Sequence, residues 1–203
     1  MRKALALTAL LLVLLVTPAL AAHPAMPDPD KLVRGYCSRV VDGDTAWIEV
    51  VEDAIPVAHT YRLIGVDTPE TVHPDKPPQF YGKEASAFTA ETLQDKWVYI
   101  EYDLEQTDDY KRHLGYVWLE DGTLFNMTLL EQGYGKFMVI APNVRYSAFF
   151  IAAQKAAQKA QVGIWAPAPA SVLLIDLKSM TLEELQILQT RITDELYKRS
   201  DRD

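Results

Sequence analysis

The stretch YRLIGVDTPE, residues 61–70, sets one guanidinium and two carboxylates into a largely apolar run. Tyr61 to Val66 has the composition of a strand, while Asp67, Thr68, Pro69 and Glu70 read as the turn that follows it. Strict alternation would put Arg62 and Asp67 on opposite strand faces. They share a site only if Gly65 bends the strand or Asp67 lies beyond its end.

Upstream, YCSRVV (36–41) and TAWIEVVE (45–52) are rich in β-branched and aromatic residues and predict two strands, with Asp42-Gly43 as the turn between them. AHTYRLIGV (58–66) predicts a third strand. Downstream, TVHPDKPPQF (71–80) holds three prolines and predicts an exposed loop. YGKEASAFTAETLQD (81–95) predicts a helix with Ala85, Phe88 and Leu93 on one face. KWVYIEYDL (96–104) and HLGYVWLE (113–120) predict two more strands, the second turning at Asp121-Gly122. A short helix, NMTLLEQG, ends at Gly133, and a longer one from Tyr146 to Gln161 is stopped by Gly163. Three strands, a helix, two strands and two helices make an α+β domain, mainly β barrel. This order fits a partly open five-stranded OB-fold barrel (the oligonucleotide/oligosaccharide-binding type) with three helices.

The ends of the chain differ from this middle. Residues 1–21 combine Arg2 and Lys3, an apolar run from Ala4 to Val16 and the small-x-small site Ala19-Leu20-Ala21, the layout of a signal peptide. Residues 22–34 are proline-rich at first and predict a flexible spacer ahead of a domain over 35–166. Residues 167–203 predict a linker, continuing the APAPAS composition of 166–171, and then a C-terminal amphipathic helix. Leu182, Leu185, Leu188, Ile192 and Leu196 share one face of that helix over 181–199, and Thr181 with Glu184 makes a capping box. A lone helix of this length is marginal in water, so it is expected to dock on the main body or to self-associate with another chain.

The 203 residues are 49% hydrophobic, enough for an ordinary core. The net charge of −8 becomes −10 when Arg2 and Lys3 leave with the signal peptide, and such acidity opposes long-range capture of nucleic acid. Cys37 is the single cysteine, which excludes a disulfide scaffold; its apolar setting reads as a buried structural thiol.

If Asp44 and Asp67 converge, their like charges need a cation between them, or one must take up a proton. Oxygen ligands without cysteine or paired histidines favour a hard ion, Ca²⁺ or Mg²⁺. Two carboxylates cannot fill a Ca²⁺ shell of roughly six to eight oxygens, so carbonyls and water must complete it. Arg62 is a planar fork that fits a phosphate oxygen pair, and Glu70 could accept a proton from water.

The runs VVDGDT, YRLIGVDTPET, YGKEASAF, DDYKRHLGYVW and GIW, in this order from about Tyr36 to Trp165, resemble the staphylococcal nuclease (thermonuclease-like) family. The resemblance implies a five-stranded barrel with three helices and Ca²⁺-dependent cleavage of DNA and/or RNA that leaves 3′-phosphate ends. It implies Asp44 and Asp67 as metal carboxylates, the Thr68 carbonyl as a further ligand and Asp42 as support behind them. Glu70 would activate or orient the attacking water, and Arg62 and Arg112 would bind the phosphate. Tyr110 matches a substrate-contacting aromatic. The sequence departs from the family pattern at Lys111, usually glycine, and at Asp109, a lysine in the family's best-known member. Met138 and Ile140 stand where two nucleotide-contacting tyrosines are expected. Weaker or more salt-sensitive substrate capture is therefore predicted.

The resulting expectation is an exported nuclease, secreted or periplasmic, with no membrane insertion after signal cleavage. Two rival readings stand beside it: an inactive module on the same barrel binding single strands or a protein partner, and an envelope-associated interaction protein working through its C-terminal helix. His23, His59, His73 and His113 show no metal-ligand spacing. The four tryptophans read as core, with a solvent-facing Trp47 or Trp118 as the alternative. Asn126-Met127-Thr128 matches a glycosylation acceptor but falls in a predicted helix and is discounted.

Overall fold

The computed structural model describes residues 23–71 and 79–167, together with Thr181, Leu182 and Leu185. The predicted signal peptide, most of the proline loop, the linker beyond Pro167 and nearly all of the helix over 181–199 lie outside the described residues. Within that last segment, the Leu185 amide donates to the Thr181 carbonyl at 3.0 Å, the bond of one helical turn.

Strands β1 (Val33–Val40), β2 (Thr45–Glu52) and β3 (Ile55–Leu63) form an antiparallel run. A two-residue strand β4 (Val66–Asp67) follows, then helix α1 (Gly82–Leu93), β5 (Lys96–Glu101) and β6 (His113–Trp118). Helix α2 (Phe125–Glu131), the short β7 (Lys136–Phe137) and helix α3 (Ser147–Ala160) complete the body. The five long strands close into a barrel in the order β1-β2-β3-β6-β5, so the barrel expected to be partly open is shut. The closing seam is the parallel pair β3–β6, with Arg62 opposite Leu114, and β5 then returns to β1. A register shift between Cys37 and Arg39 bends β1, as a bulge does at barrel corners.

Alternation sets the core. Ala46, Ile48 and Val50 of β2 point inward, while Trp47 and Val51 face solvent. In β6 every residue from Leu114 to Trp118 is buried, because one face fills the barrel and α2 covers the other. Trp118 is wholly inside, in line with the core reading, while Trp47 and Trp97 are exposed, which corrects that reading for Trp97. Cys37 is fully buried, and burial pushes its thiol up to about 11, as expected for a structural side chain.

The first strand starts earlier than expected. β1 begins at Val33, residues Pro29–Lys31 form a 3-10 turn, and Met26 and Leu32 pack on the core. The stretch read as a flexible spacer is therefore partly bound to the body. β3 also runs three residues earlier at both ends than the expected 58–66. Its hairpin with β2 turns on Asp53 and Ala54, both at positive φ (48° and 67°), a two-residue turn without the usual glycine.

Candidate active site

The site lies where three distant segments reach one end of the barrel. Thr45 pairs with Arg62 across β2–β3, and the Leu63 amide donates to the Asp44 carbonyl at 2.9 Å, so the start of β2 sits beside the end of β3. β6 begins alongside Tyr61, which brings Arg112 to the same end. After Leu63 the chain turns at Gly65, whose φ is +81°, before β4. A Cβ there would lie 2.4 Å from the Phe150 ring. This turn takes Asp67 out of strict alternation and into reach of Arg62.

A pocket of about 270 Å³ is lined by Asp42, Asp44, Arg62, Asp67, Thr68, Glu70, Arg112 and Met138. Arg62 and Asp44 are each only 5% exposed. The Arg62 Nη1 donates to the carbonyls of Leu63 and Val66, Nε meets Asp44 Oδ1 at 3.2 Å and Nη2 meets Asp67 Oδ1 at 3.2 Å. One guanidinium thus neutralises two carboxylates that would otherwise repel. Asp44 is held from the other side: Oδ2 accepts from the Thr68 amide at 2.7 Å and its hydroxyl at 3.0 Å, and Oδ1 accepts from the Thr45 hydroxyl. Asp42 stands behind it and accepts from the Asp44 amide at 3.1 Å.

Burial and the neighbouring Asp44 push the Asp42 carboxyl up to about 6. Burial also raises Asp67; Arg62 opposes that shift and Asp44 adds to it. The backbone of Glu70 is clamped to Gln79: its amide donates to the Gln79 side chain at 3.2 Å, and its carbonyl accepts from the Gln79 amide at 2.9 Å.

Arg112 is fixed by Asp108, a residue that sequence reasoning passed over. Its Nε donates to Asp108 Oδ2 at 2.8 Å and its backbone amide to Oδ1 at 2.9 Å. The signal was an aspartate four residues before the arginine, opening a turn in which Lys111 has φ +65°. Tyr110 is 82% exposed and sits outside the pocket, with the Arg112 guanidinium 5.5 Å from its ring centre. Met138 lines the pocket, and Ile140 packs against the core instead.

Asn126 is the other side chain missed. It is fully buried, donates to the carbonyls of Ile64 and Gly115 and accepts from the Val117 amide. It therefore ties α2 to β6 and to the turn that presents Asp67, and as a buried residue it is no glycosylation acceptor.

The donors facing the pocket suit a metal ion of one kind. The Asp44 and Asp67 carboxylates and Thr68 bring only oxygen acceptors to the pocket wall, and among the described residues no group of three or more histidine, cysteine or acidic side chains is gathered as an ion cage. That set fits a hard, weakly held cation whose shell is completed by water and substrate.

Residues 60–167 match the family described as staphylococcal nuclease homologue. The thermonuclease of Staphylococcus intermedius is 46% identical over 127 residues, covering 63% of this chain and 73% of that protein. The thermonuclease of Staphylococcus hyicus is 44% identical over 127 residues, with 63% and 72% covered. Endonuclease YncB of Bacillus subtilis is 33% identical over 147 residues, with 71% and 67% covered.

Proposed function

The chain belongs to the staphylococcal nuclease homologue family, and from that premise we propose that it is an exported, Ca²⁺-dependent nuclease that hydrolyses phosphodiester bonds of DNA and/or RNA in the pocket at the barrel end, leaving 3′-phosphate products. The observation that carries this reading is the pocket itself, in which Asp42, Asp44, Arg62, Asp67, Thr68, Glu70 and Arg112 share one wall-to-wall space.

Asp44, Asp67 and the Thr68 carbonyl are the proposed Ca²⁺ ligands. The bound ion supplies positive charge against the negative charge that builds on the phosphate oxygens during attack. Arg62 and Arg112 hold those oxygens. Each is held by the protein before substrate arrives, Arg62 through the Leu63 and Val66 carbonyls and Arg112 through Asp108, and the Arg62 contacts to Asp44 and Asp67 would give way as the ion and the phosphate bind. Glu70 takes the proton of the attacking water. Asp42 orients Asp44 through its amide. Export rests on the leader-like composition of residues 1–21; among the described residues no helix is long and apolar enough to cross a membrane.

The test is cleavage of single-stranded DNA and RNA by the protein beginning after Ala21, with Ca²⁺ or with chelator. Cutting is expected with Ca²⁺ alone, and Glu70→Ala should abolish it. Arg112→Met should lower kcat by about 10²–10³-fold, the scale of one lost transition-state donor. Product ends that need a phosphatase before a polymerase can extend them would support 3′-phosphates. A folded wild type that cuts neither polymer at any Ca²⁺ level overturns the reading.

A further inference from the structure

A second, smaller pocket of about 60 Å³ adjoins the first. It is lined by Asp67, Thr68, Pro69, Gln79, Lys136 and Ile164, so it shares Asp67 and Thr68 with the larger one. Lys136 faces Asp67 across the β4–β7 pair and is exposed. Gln79 leads directly to Phe80, which is 44% exposed.

Phe80 ends a row of rings that runs into the core. Its ring centre is 5.8 Å from that of Tyr81, Tyr81 is 5.6 Å from Tyr134, Tyr134 stacks on Phe88 at 4.4 Å, and Phe88 stacks on the fully buried Phe125 at 6.0 Å. A lone exposed phenylalanine needs no explanation. This one is braced by rings down to the interior and is the chain neighbour of Gln79, which lines a pocket with a cation on its wall. Tyr134, two residues before Lys136, touches Tyr81, next to Phe80, so the lysine and the exposed ring belong to one neighbourhood.

We propose that Lys136 and Phe80 form a nucleotide subsite next to the scissile phosphate, Lys136 holding the adjacent phosphate and Phe80 stacking its base. A flexible ammonium beside a braced aromatic ring is what a backbone phosphate and an unpaired base require together. Asp67 and Thr68, shared by both pockets, connect this subsite to the proposed metal ligands. The subsite also gives the strand a stacking surface, which Met138 in the larger pocket does not. The inference rests on the nuclease reading of the larger pocket.

The experiment measures cleavage of an oligothymidylate series, from the dinucleotide to the octanucleotide, by wild type, Lys136→Met, Phe80→Ala and the control Arg34→Met. Arg34 stacks over Trp97 and lines neither pocket. Wild type should show KM falling as length increases. In Phe80→Ala that gain should shrink about five-fold or more, the low end of one lost base stack. In Lys136→Met the gain should shrink too, and the slope of log KM against log salt should drop by about 0.7, one phosphate contact on a single strand. Arg34→Met should follow wild type. Both exposed positions tolerate truncation, and melting curves confirm that each variant is folded. Wild-type cleavage with an unaltered length series in both variants overturns the subsite and leaves the nuclease standing. A uniform loss at every length also overturns it, since it assigns the residues to the scissile site. A wild type inactive on every length overturns both.

Discussion

Asp108 carries more of the site than its position on an exposed turn suggests. Burial alone would raise its carboxyl, but the backbone and side-chain hydrogen bonds from Arg112, with the charge of that guanidinium, outweigh burial and lower it. A carboxyl lowered by folding adds stability that is present above its unfolded value of about 3.9 and is lost as pH falls through the folded value. Asp108→Asn should therefore cost about 1–2 kcal/mol near pH 7. That deficit should vanish in acid, where the wild-type carboxylate is also protonated. Urea melts at the two pH values would show it, and an equal deficit at both would assign the loss to packing. Lys111 sits between this pair and Tyr110 with φ +65°, a conformation that a side chain disfavours. Lys111→Gly should stabilise the fold by about 0.5–1 kcal/mol, read as a rise in Tm. That departure from the family pattern was visible in the sequence, and the structure supplies its physical consequence.

The decisive element is the β3–β4 turn. Gly65 must reach φ +81° with the Phe150 ring of α3 against its Cα, and Asn126 of α2 holds the Ile64 carbonyl within the same turn. Gly65→Ala is expected to cost about 2–4 kcal/mol through the combined strain and overpacking. Because Arg62 and Asp67 stand on either side of that turn, cleavage should fall in the variant even at temperatures where it is fully folded; normal cleavage by a destabilised protein would detach the turn from the site. That Arg62 and Asp67 meet only if Gly65 bends the strand or Asp67 lies beyond its end followed from the two-residue period of side chains. The Asn126 brace did not, because Asn126 lies 62 residues from Ile64 and its hydrogen bonds form only when α2 lands on the barrel. Similarly, Asp53 and Ala54 carry no strong turn signal, and the start of β3 is set by its register with β2.

At the scale of the molecule, the described residues between 23 and 167 form a closed barrel, its covering helices and the lining of the pocket. Deleting residues 171–203 should leave cleavage and Tm unchanged, while light scattering on the two forms reports whether the amphipathic segment makes the chain self-associate. Loss of cleavage on deletion would move part of the function into that segment. The sequence by itself determined the order of the five barrel strands and the three α-helices, the presence of a glycine after Arg62 and the oxygen-rich chemistry of Asp44, Asp67 and Glu70, since these depend on local composition and short-range period. Only the tertiary structure decided that the barrel is shut, that Trp118 is inside and Trp97 outside, and that Asp44 and Thr68, 24 residues apart, share hydrogen bonds. It also decided that Asp67 and Lys136 face each other across two short strands. The reason is physical. Alternation says that a side chain points inward or outward, but which residues meet there is settled by strand register and barrel closure, and those are contacts between segments far apart in the chain.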